Sequence, residues 1–167
     1  TIQMAAAASF TLKRGALQAV GTPSLPIKIT SASATPAAGD WRQWRFTAGT
    51  NQALTQLGHV VIEYGSGVAI ESASPVINNT AINHHSGPAI SMDLASSPVG
   101  TGNTANGNSL NAINVPAGTI RTQVVWGIVG ILLTLGLVAA RSLVPTPAPA
   151  VVEAIDWTAE ADEKPAP

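Results

Sequence analysis

Few residues of this chain have the type and spacing that metal chemistry needs. His59, His84 and His85 are the only imidazoles, and Asp93 is one of few nearby carboxylates. Two imidazoles and a carboxylate can hold a transition metal. However, His84 and His85 are adjacent, so in a strand their side chains would point to opposite faces. The sequence therefore predicts no metal site, with the histidines in turns or on the surface.

The sequence contains serine, histidine and aspartate, but it lacks the local motifs of the usual catalytic sites. There is no cysteine, which excludes thiolate nucleophiles, disulfides, zinc–thiolate sites and iron–sulfur clusters. No Gly-x-Ser-x-Gly nucleophile elbow occurs, and the glycine-rich stretch 100–107 lacks the lysine of a phosphate-binding loop. We therefore expect a protein that is not an enzyme and that has no cofactor.

Charge is sparse and uneven along the chain. Charged residues make up 10% of the 167 residues, against about 25% in typical soluble domains. The net charge of −1 gives no reason to expect a nucleic-acid partner. Residues 72–120 carry one charge, Asp93, and eight of the nine asparagines. Amides and hydroxyls can bond to neighbouring chains without desolvating a charge, so this region is expected to pack in an assembly; the alternative is a solvated, weakly constrained loop region.

A cluster of aromatic and basic residues is the candidate protein interface. Trp41, Arg42, Trp44 and Arg45 lie within seven residues, 40–46. Tryptophan and arginine are enriched at interfaces and can stack as cation–π pairs. The alternative is a strand with one tryptophan in the core and one at a rim.

The longest apolar run, 124–140, predicts a single transmembrane helix over 121–141. Nineteen uncharged residues separate Arg121 from Arg141, and as a helix they would reach about 28 Å, close to the hydrocarbon thickness of a bilayer. The two arginines can border the span. Glycines spaced along it would allow close helix contact. The residues assigned to the span are Val124, Trp126, Gly127, Gly130, Leu132, Leu133, Gly136 and Ala140.

The remaining segments divide around a β-rich domain at 24–120. Residues 1–23 are expected to form an N-terminal arm or short helix, and 142–167 a disordered, Pro-rich acidic tail. No repeat of fixed period is apparent. Within the domain, 65–67 is expected to form a hairpin turn and 95–108 a long loop. Eight short runs rich in Val and Ile indicate an antiparallel sandwich or small barrel, with a jelly roll as one form: 25–32, 41–47, 59–64, 67–72, 75–82, 88–94, 109–115 and 119–125.

In general pattern, the chain looks like minor virion proteins of tailless phages with an internal lipid membrane. In such proteins a β-rich, charge-poor domain contacts the capsid shell and a helix holds the vesicle. The resemblance implies a structural role, with the lipid bilayer and neighbouring subunits as partners and the virion's internal membrane as the location. Self-association into a homo-oligomer is a further expectation. The alternatives are a single-span accessory subunit of a cellular membrane complex and an envelope-anchored binding module that uses the 95–108 loop.

Overall fold

The chain folds as a β-solenoid, in a computed structural model that describes residues 1–119 and 129–132. The first three coils each contribute one short strand to each of three sides, and every pair among the described strands is parallel. The first coil holds β1 (Ile2–Met4), β2 (Phe10–Leu12) and β3 (Gln18–Val20). The second holds β4 (Ile27–Ser31), β5 (Trp44–Phe46), a short 3₁₀ helix (Gln52–Leu54) and β6 (Gln56–Gly58). The third holds β7 (Val60–Glu63), β8 (Val68–Ile70) and β9 (Val76–Asn78).

The later coils repeat this order. The fourth coil contains β10 (Ala81–Asn83) and β11 (Pro88–Met92), and Val99 then bridges Val76 on the third side. The fifth contains β12 (Gly100–Asn106) and β13 (Leu110–Asn114), and β14 (Val129–Leu132) pairs with β12. The first sheet therefore has the order β1-β4-β7-β10-β12-β14, the second β13-β11-β8-β5-β2 and the third β3-β6-β9.

Aliphatic side chains stack on one another in columns through the interior. In the first sheet, Ile29 pairs in register with Ile62, Ile62 with Ile82 and Ile82 with Ala105, and all four residues are buried. The second and third sheets add similar columns, which close the core between the three sides. Burial of these side chains, at about 25 cal/mol per Å² of apolar area, is the main stabilising contribution. The core residues of those two sheets include Ala19, Trp44, Phe46, Leu57, Val68, Ile70, Ile77, Ile90 and Met92.

The corner between the first and second sheets is a stack of left-handed residues. Tyr64, His84 and Gly107 have φ of 65°, 56° and 65° in successive coils. The Tyr64 and His84 rings stack with centroids 5.3 Å apart, and a Cβ at Gly107 would meet the His84 ring. Glycine is therefore needed where the ring of the coil below occupies the side-chain position.

Two buried or half-buried asparagines join successive coils at the corners. The Asn103 amide nitrogen donates to the Ile77 carbonyl (2.7 Å), and its oxygen accepts from the Thr80 N–H (3.0 Å). Asn108 makes the same pair of bonds with the Ile82 carbonyl (2.8 Å) and the His85 N–H (2.9 Å). These amides satisfy backbone groups that the turns leave unpaired. Two of the asparagines in the charge-poor region thus have an internal role.

The antiparallel sandwich or barrel is a wrong prediction. The strands at 25–32, 59–64, 67–72 and 88–94 are confirmed, but all of them pair in parallel. Residues 65–67 turn the chain from the first sheet to the second, and do not close a hairpin. The 95–108 segment contains β12, and residues 1–23 contain three strands rather than a helix. An alternating apolar pattern describes one buried face, whether the neighbouring strand is parallel or antiparallel.

The prediction of a transmembrane helix is also corrected by the structure. Among residues 1–119 and 129–132, no helix has the length and apolarity to cross a bilayer. Within the predicted span, the backbone of Val129–Leu132 is a β-strand paired with β12. This strand contains Gly130 and Leu132, two of the residues assigned to the span. A run of Val, Ile and Leu suits a buried strand as well as a helix. The other assigned residues lie outside the described part of the chain, as does the 142–167 tail: Arg121, Val124, Trp126, Gly127, Leu133, Gly136, Ala140 and Arg141.

Candidate functional sites: the first-coil edge and the basic cleft

The first coil has an open side, which we call the first-coil edge. Among the described strands, β1, β2 and β3 each stand at one end of their sheet. An edge strand leaves backbone N–H and C=O groups free to pair with another chain. The three strands of this coil carry no charged side chain.

An apolar cavity of about 250 Å³, the apolar mouth, opens within this coil. Its lining side chains come from the first two coils, and all but that of Gln18 are apolar. Because apolar surface gains free energy when it leaves water, the mouth favours an apolar occupant. The lining residues are Ile2, Met4, Phe10, Leu17, Gln18, Ala19, Ile27, Ile29 and Trp44.

The indole of Trp44 adds an unpaired donor beside the mouth. Its ring lies against Phe10, with centroids 4.8 Å apart, and against Phe46. Its Nε1–H is buried and has no hydrogen-bond partner in the described structure. An unpaired buried donor costs about 1–3 kcal/mol.

Exposed apolar side chains concentrate near the same end. Seven large apolar side chains are exposed in the described part of the chain, and five of them precede β7. Of these five, only Ile2 and Phe10 line the apolar mouth, whereas Val20, Leu25 and Leu54 do not.

The residues predicted as an interface separate into core and surface. Trp41 and Trp44 are only 0% and 4% exposed, and the Trp41 Nε1–H donates to the Glu63 carbonyl (2.9 Å). The two tryptophans therefore belong to the core. Arg42 is exposed and Arg45 is half-buried, and both line a surface cleft.

This basic cleft has a volume of about 480 Å³ and crosses three coils. The backbone of Arg42 is held from both sides, since its N–H donates to the Ala8 carbonyl (2.7 Å) and its carbonyl accepts from the Ser66 N–H (3.2 Å). The strand register places Thr11 of β2 opposite Arg45 of β5. The lining consists of two guanidinium groups, three hydroxyls and one amide: Arg42, Arg45, Ser9, Thr11, Ser66 and Gln43.

The two arginines of the cleft differ in their partners. Arg45 donates to Gln43 Oε1 (2.9 Å) and forms an ion pair with Glu71 Oε1 (3.3 Å) in which both side chains are nearly half exposed. Such a pair is worth at most about 1 kcal/mol. No described residue accepts a hydrogen bond from the Arg42 guanidinium or pairs with it. Arg42 is therefore a cation available to a ligand.

The histidines and carboxylates do not converge on a metal site. Glu63 accepts bonds from Thr30 and Lys28, and Glu71 pairs with Arg45. Asp93 accepts from the Ser72 N–H and hydroxyl, the Ser96 hydroxyl and the Ala95 N–H; although its partial burial acts to raise its pKa, these bonds lower the pKa below the usual value. In the described ranges, no three such side chains come close enough to hold an ion.

His85 is a core residue with both ring nitrogens engaged. It is 1% exposed. Its Nδ1 accepts from the Gly65 N–H (2.9 Å), which places the proton on Nε2, 3.2 Å from the Ile62 carbonyl. Burial lowers the pKa of the imidazole, and the two backbone bonds only partly oppose this effect. The ring is therefore a neutral link between coils.

Sequence reasoning missed the first-coil edge and the hydroxyls of the cleft. Residues 1–12 carry no charged side chain, and this stretch was the available signal for an apolar end. Ser9 and Thr11 gave no signal, because only the parallel stacking of β2 on β5 brings them beside Arg45.

No protein family model, curated protein or solved structure matches this chain.

Proposed function

We propose that the chain is a non-enzymatic structural protein whose β-solenoid packs against neighbouring protein subunits in a larger assembly. The observation that carries the proposal is the first-coil edge, which combines unpaired strand edges with the apolar mouth. Strand addition supplies affinity through backbone bonds, and pockets beside the edge supply specificity. A minor virion protein that contacts a capsid shell is one setting for this role.

A second copy of the chain is the neighbour that the edge fits best. Two copies related by a two-fold axis present the same surface to each other. The side chains lining the mouth are uncharged, so no charge repulsion opposes their meeting. Each copy would bury the other's exposed Ile2 and Phe10, and antiparallel pairing of the edges would satisfy their free backbone groups.

A matched pair of charge substitutions tests this proposal. Ile2 and Leu54 are 51% and 52% exposed, but only Ile2 lines the mouth. A lysine buried without a partner should weaken association by about 100-fold or more. In sedimentation equilibrium, we expect Ile2→Lys to lower self-association and Leu54→Lys to leave it unchanged. Circular dichroism and a urea unfolding midpoint check that each variant is folded.

Two outcomes would contradict this proposal. If the unmodified chain stays monomeric at millimolar concentration, the second copy is the wrong partner. If both lysine variants associate as tightly as the unmodified chain, the contact lies away from the first-coil edge.

A binding module is the second candidate function. The basic cleft supports it, because the cleft presents an unpaired guanidinium beside several hydroxyl groups. The cleft shares the first coil with the mouth, since Ser9 and Thr11 line it, but no residue lines both cavities. Substitutions at Ile2 and at Arg42 therefore test the two roles separately.

A further inference from the structure

We propose that the basic cleft binds an acidic saccharide, a sugar chain that carries carboxylate or sulfate groups. Arg42 would hold the acidic group, while the hydroxyl and amide groups around it would bond to the sugar hydroxyls. The cleft adjoins the first-coil edge at Thr11 of β2, but none of its lining residues lines the apolar mouth.

Arg42 is the group that selects for negative charge. Its guanidinium is exposed and has no partner in the described structure, although its backbone is fixed by bonds to the first and third coils. A planar guanidinium can bind a carboxylate or sulfate through two parallel hydrogen bonds. Because the backbone is already held in place, little ordering of the chain would oppose binding.

Arg45 can join Arg42 when an anion arrives. Its ion pair with Glu71 is 3.3 Å long and close to half exposed, so it is weak and screened by salt. A ligand anion can compete with the Glu71 carboxylate for the guanidinium. The Glu71 charge therefore opposes binding of an acidic ligand. Removing it should tighten binding, whereas removing the Arg42 charge should weaken binding.

The neutral lining matches sugar hydroxyl groups. Ser9, Thr11 and Ser66 each present a hydroxyl, and Gln43 adds an amide. The Ser66 hydroxyl has long bonds to the Trp41 carbonyl and the Ser86 hydroxyl (both 3.4 Å), and the Gln43 amide oxygen accepts from Arg45. In the described structure, the Ser9 and Thr11 hydroxyls have no hydrogen-bond partner. The volume of about 480 Å³ is in the range of small-ligand sites.

Other ligand classes fit the cleft less well. The six lining residues include no aromatic ring, and bases in single-stranded nucleic acids depend on aromatic stacking. Two cations are too few for a run of phosphates. The lining is also too polar for an apolar peptide, whose anchors need a hydrophobic pocket.

The test is calorimetric titration of the full chain with a galacturonate trimer, and with maltotriose as the neutral control. We expect the trimer to bind and maltotriose to bind at least about tenfold more weakly. Arg42→Gln should weaken trimer binding by about tenfold or more, whereas Arg14→Gln, which removes the same charge from an exposed position outside the cleft, should not. Glu71→Gln should tighten it.

Further titrations show which kind of acidic group the cleft binds. Binding of a sulfated disaccharide that also depends on Arg42 supports the proposal and extends it to sulfate. Equal affinity for maltotriose and the trimer would overturn it, as would equal loss in Arg42→Gln and Arg14→Gln. Tighter binding of inorganic phosphate or a single-stranded oligonucleotide than of either acidic sugar would also overturn it.

Discussion

The buried imidazole of His85 should make the solenoid sensitive to mild acid. The ring is neutral in the folded state, and burial lowers its pKa. In the unfolded chain, the same histidine titrates near 6.5. The unfolded state therefore binds the proton more readily, so stability falls as pH drops below about 6.5, until the lowered folded pKa is reached. Within that window, this group alone contributes a slope of about 1.4 kcal/mol per pH unit.

His85→Gln should remove that slope and lower stability at neutral pH. The glutamine does not titrate, and it does not reproduce both the Gly65 and the Ile62 bonds of the ring. A buried donor without a partner costs about 1–3 kcal/mol. Urea unfolding at pH 7.5, 6.5 and 5.5 measures both effects, as a lower free energy of unfolding at pH 7.5 and a flatter pH dependence.

His84 provides the matched control one residue away. Its side chain is exposed and stacks on Tyr64, so His84→Gln should keep the pH slope of the unmodified chain. If His85→Gln and the unmodified chain lose stability in parallel between pH 7.5 and 5.5, the neutral, buried imidazole is not the acid-sensitive group.

Three further substitutions test the packing of the coils, each measured by urea unfolding. Phe46→Ala should cost about 3–5 kcal/mol, because it empties a fully buried site in the second sheet; a loss under 1 kcal/mol would contradict this packing. Gly67→Ala should destabilise by more than about 1 kcal/mol, since the residue has φ of 108° and a Cβ would clash with the Pro88 carbonyl oxygen. Asn108→Ala should cost about 1–3 kcal/mol through its lost bonds between coils, whereas exposed Asn106→Ala should change stability by under about 0.5 kcal/mol.

Strands such as β4, β5 and β7 are predictable in position because residues two apart in them face the core, whereas β1, β2, β3 and β12 fall in segments predicted as an arm or short helix and a loop. Ile27 and Ile29, or Val60 and Ile62, alternate with outward residues as in any half-buried strand. The pairing was not predictable, since the coils vary in length. Stacked partners are 20 residues apart between Ile62 and Ile82 but 38 apart between Ala19 and Leu57. The inserted loops hide the period that marks a regular solenoid.

The sequence contains a repeated dipeptide at the corners between the strands. Gly102-Asn103 and Gly107-Asn108 repeat the same dipeptide five residues apart. In each, glycine takes the left-handed turn and asparagine bonds inward to the coil below. The asparagine content predicts a contact surface, but Asn103 and Asn108 bond within the solenoid itself.

The candidate sites could be predicted only in part from the sequence. Arginine and tryptophan at 41–45 suggested an interface, but alternation could not predict that both Trp41 and Trp44 would be buried, since Trp41 precedes β5 at a corner. The cleft depends on parallel stacking, which brings Thr11 and Arg45 together from positions 34 residues apart. Contacts of that kind follow from topology, not from local pattern.

Hydrogen exchange measured as a function of protein concentration tests the proposed assembly contact most directly. At micromolar concentration, amides of the first-coil edge should exchange quickly, because an edge strand leaves some of its N–H groups unpaired. As the chain associates, we predict added protection confined to residues 2–20, with little change in β8 and β11. Association without protection of residues 2–20, or with protection centred on β8 and β11, would contradict a contact at the first-coil edge.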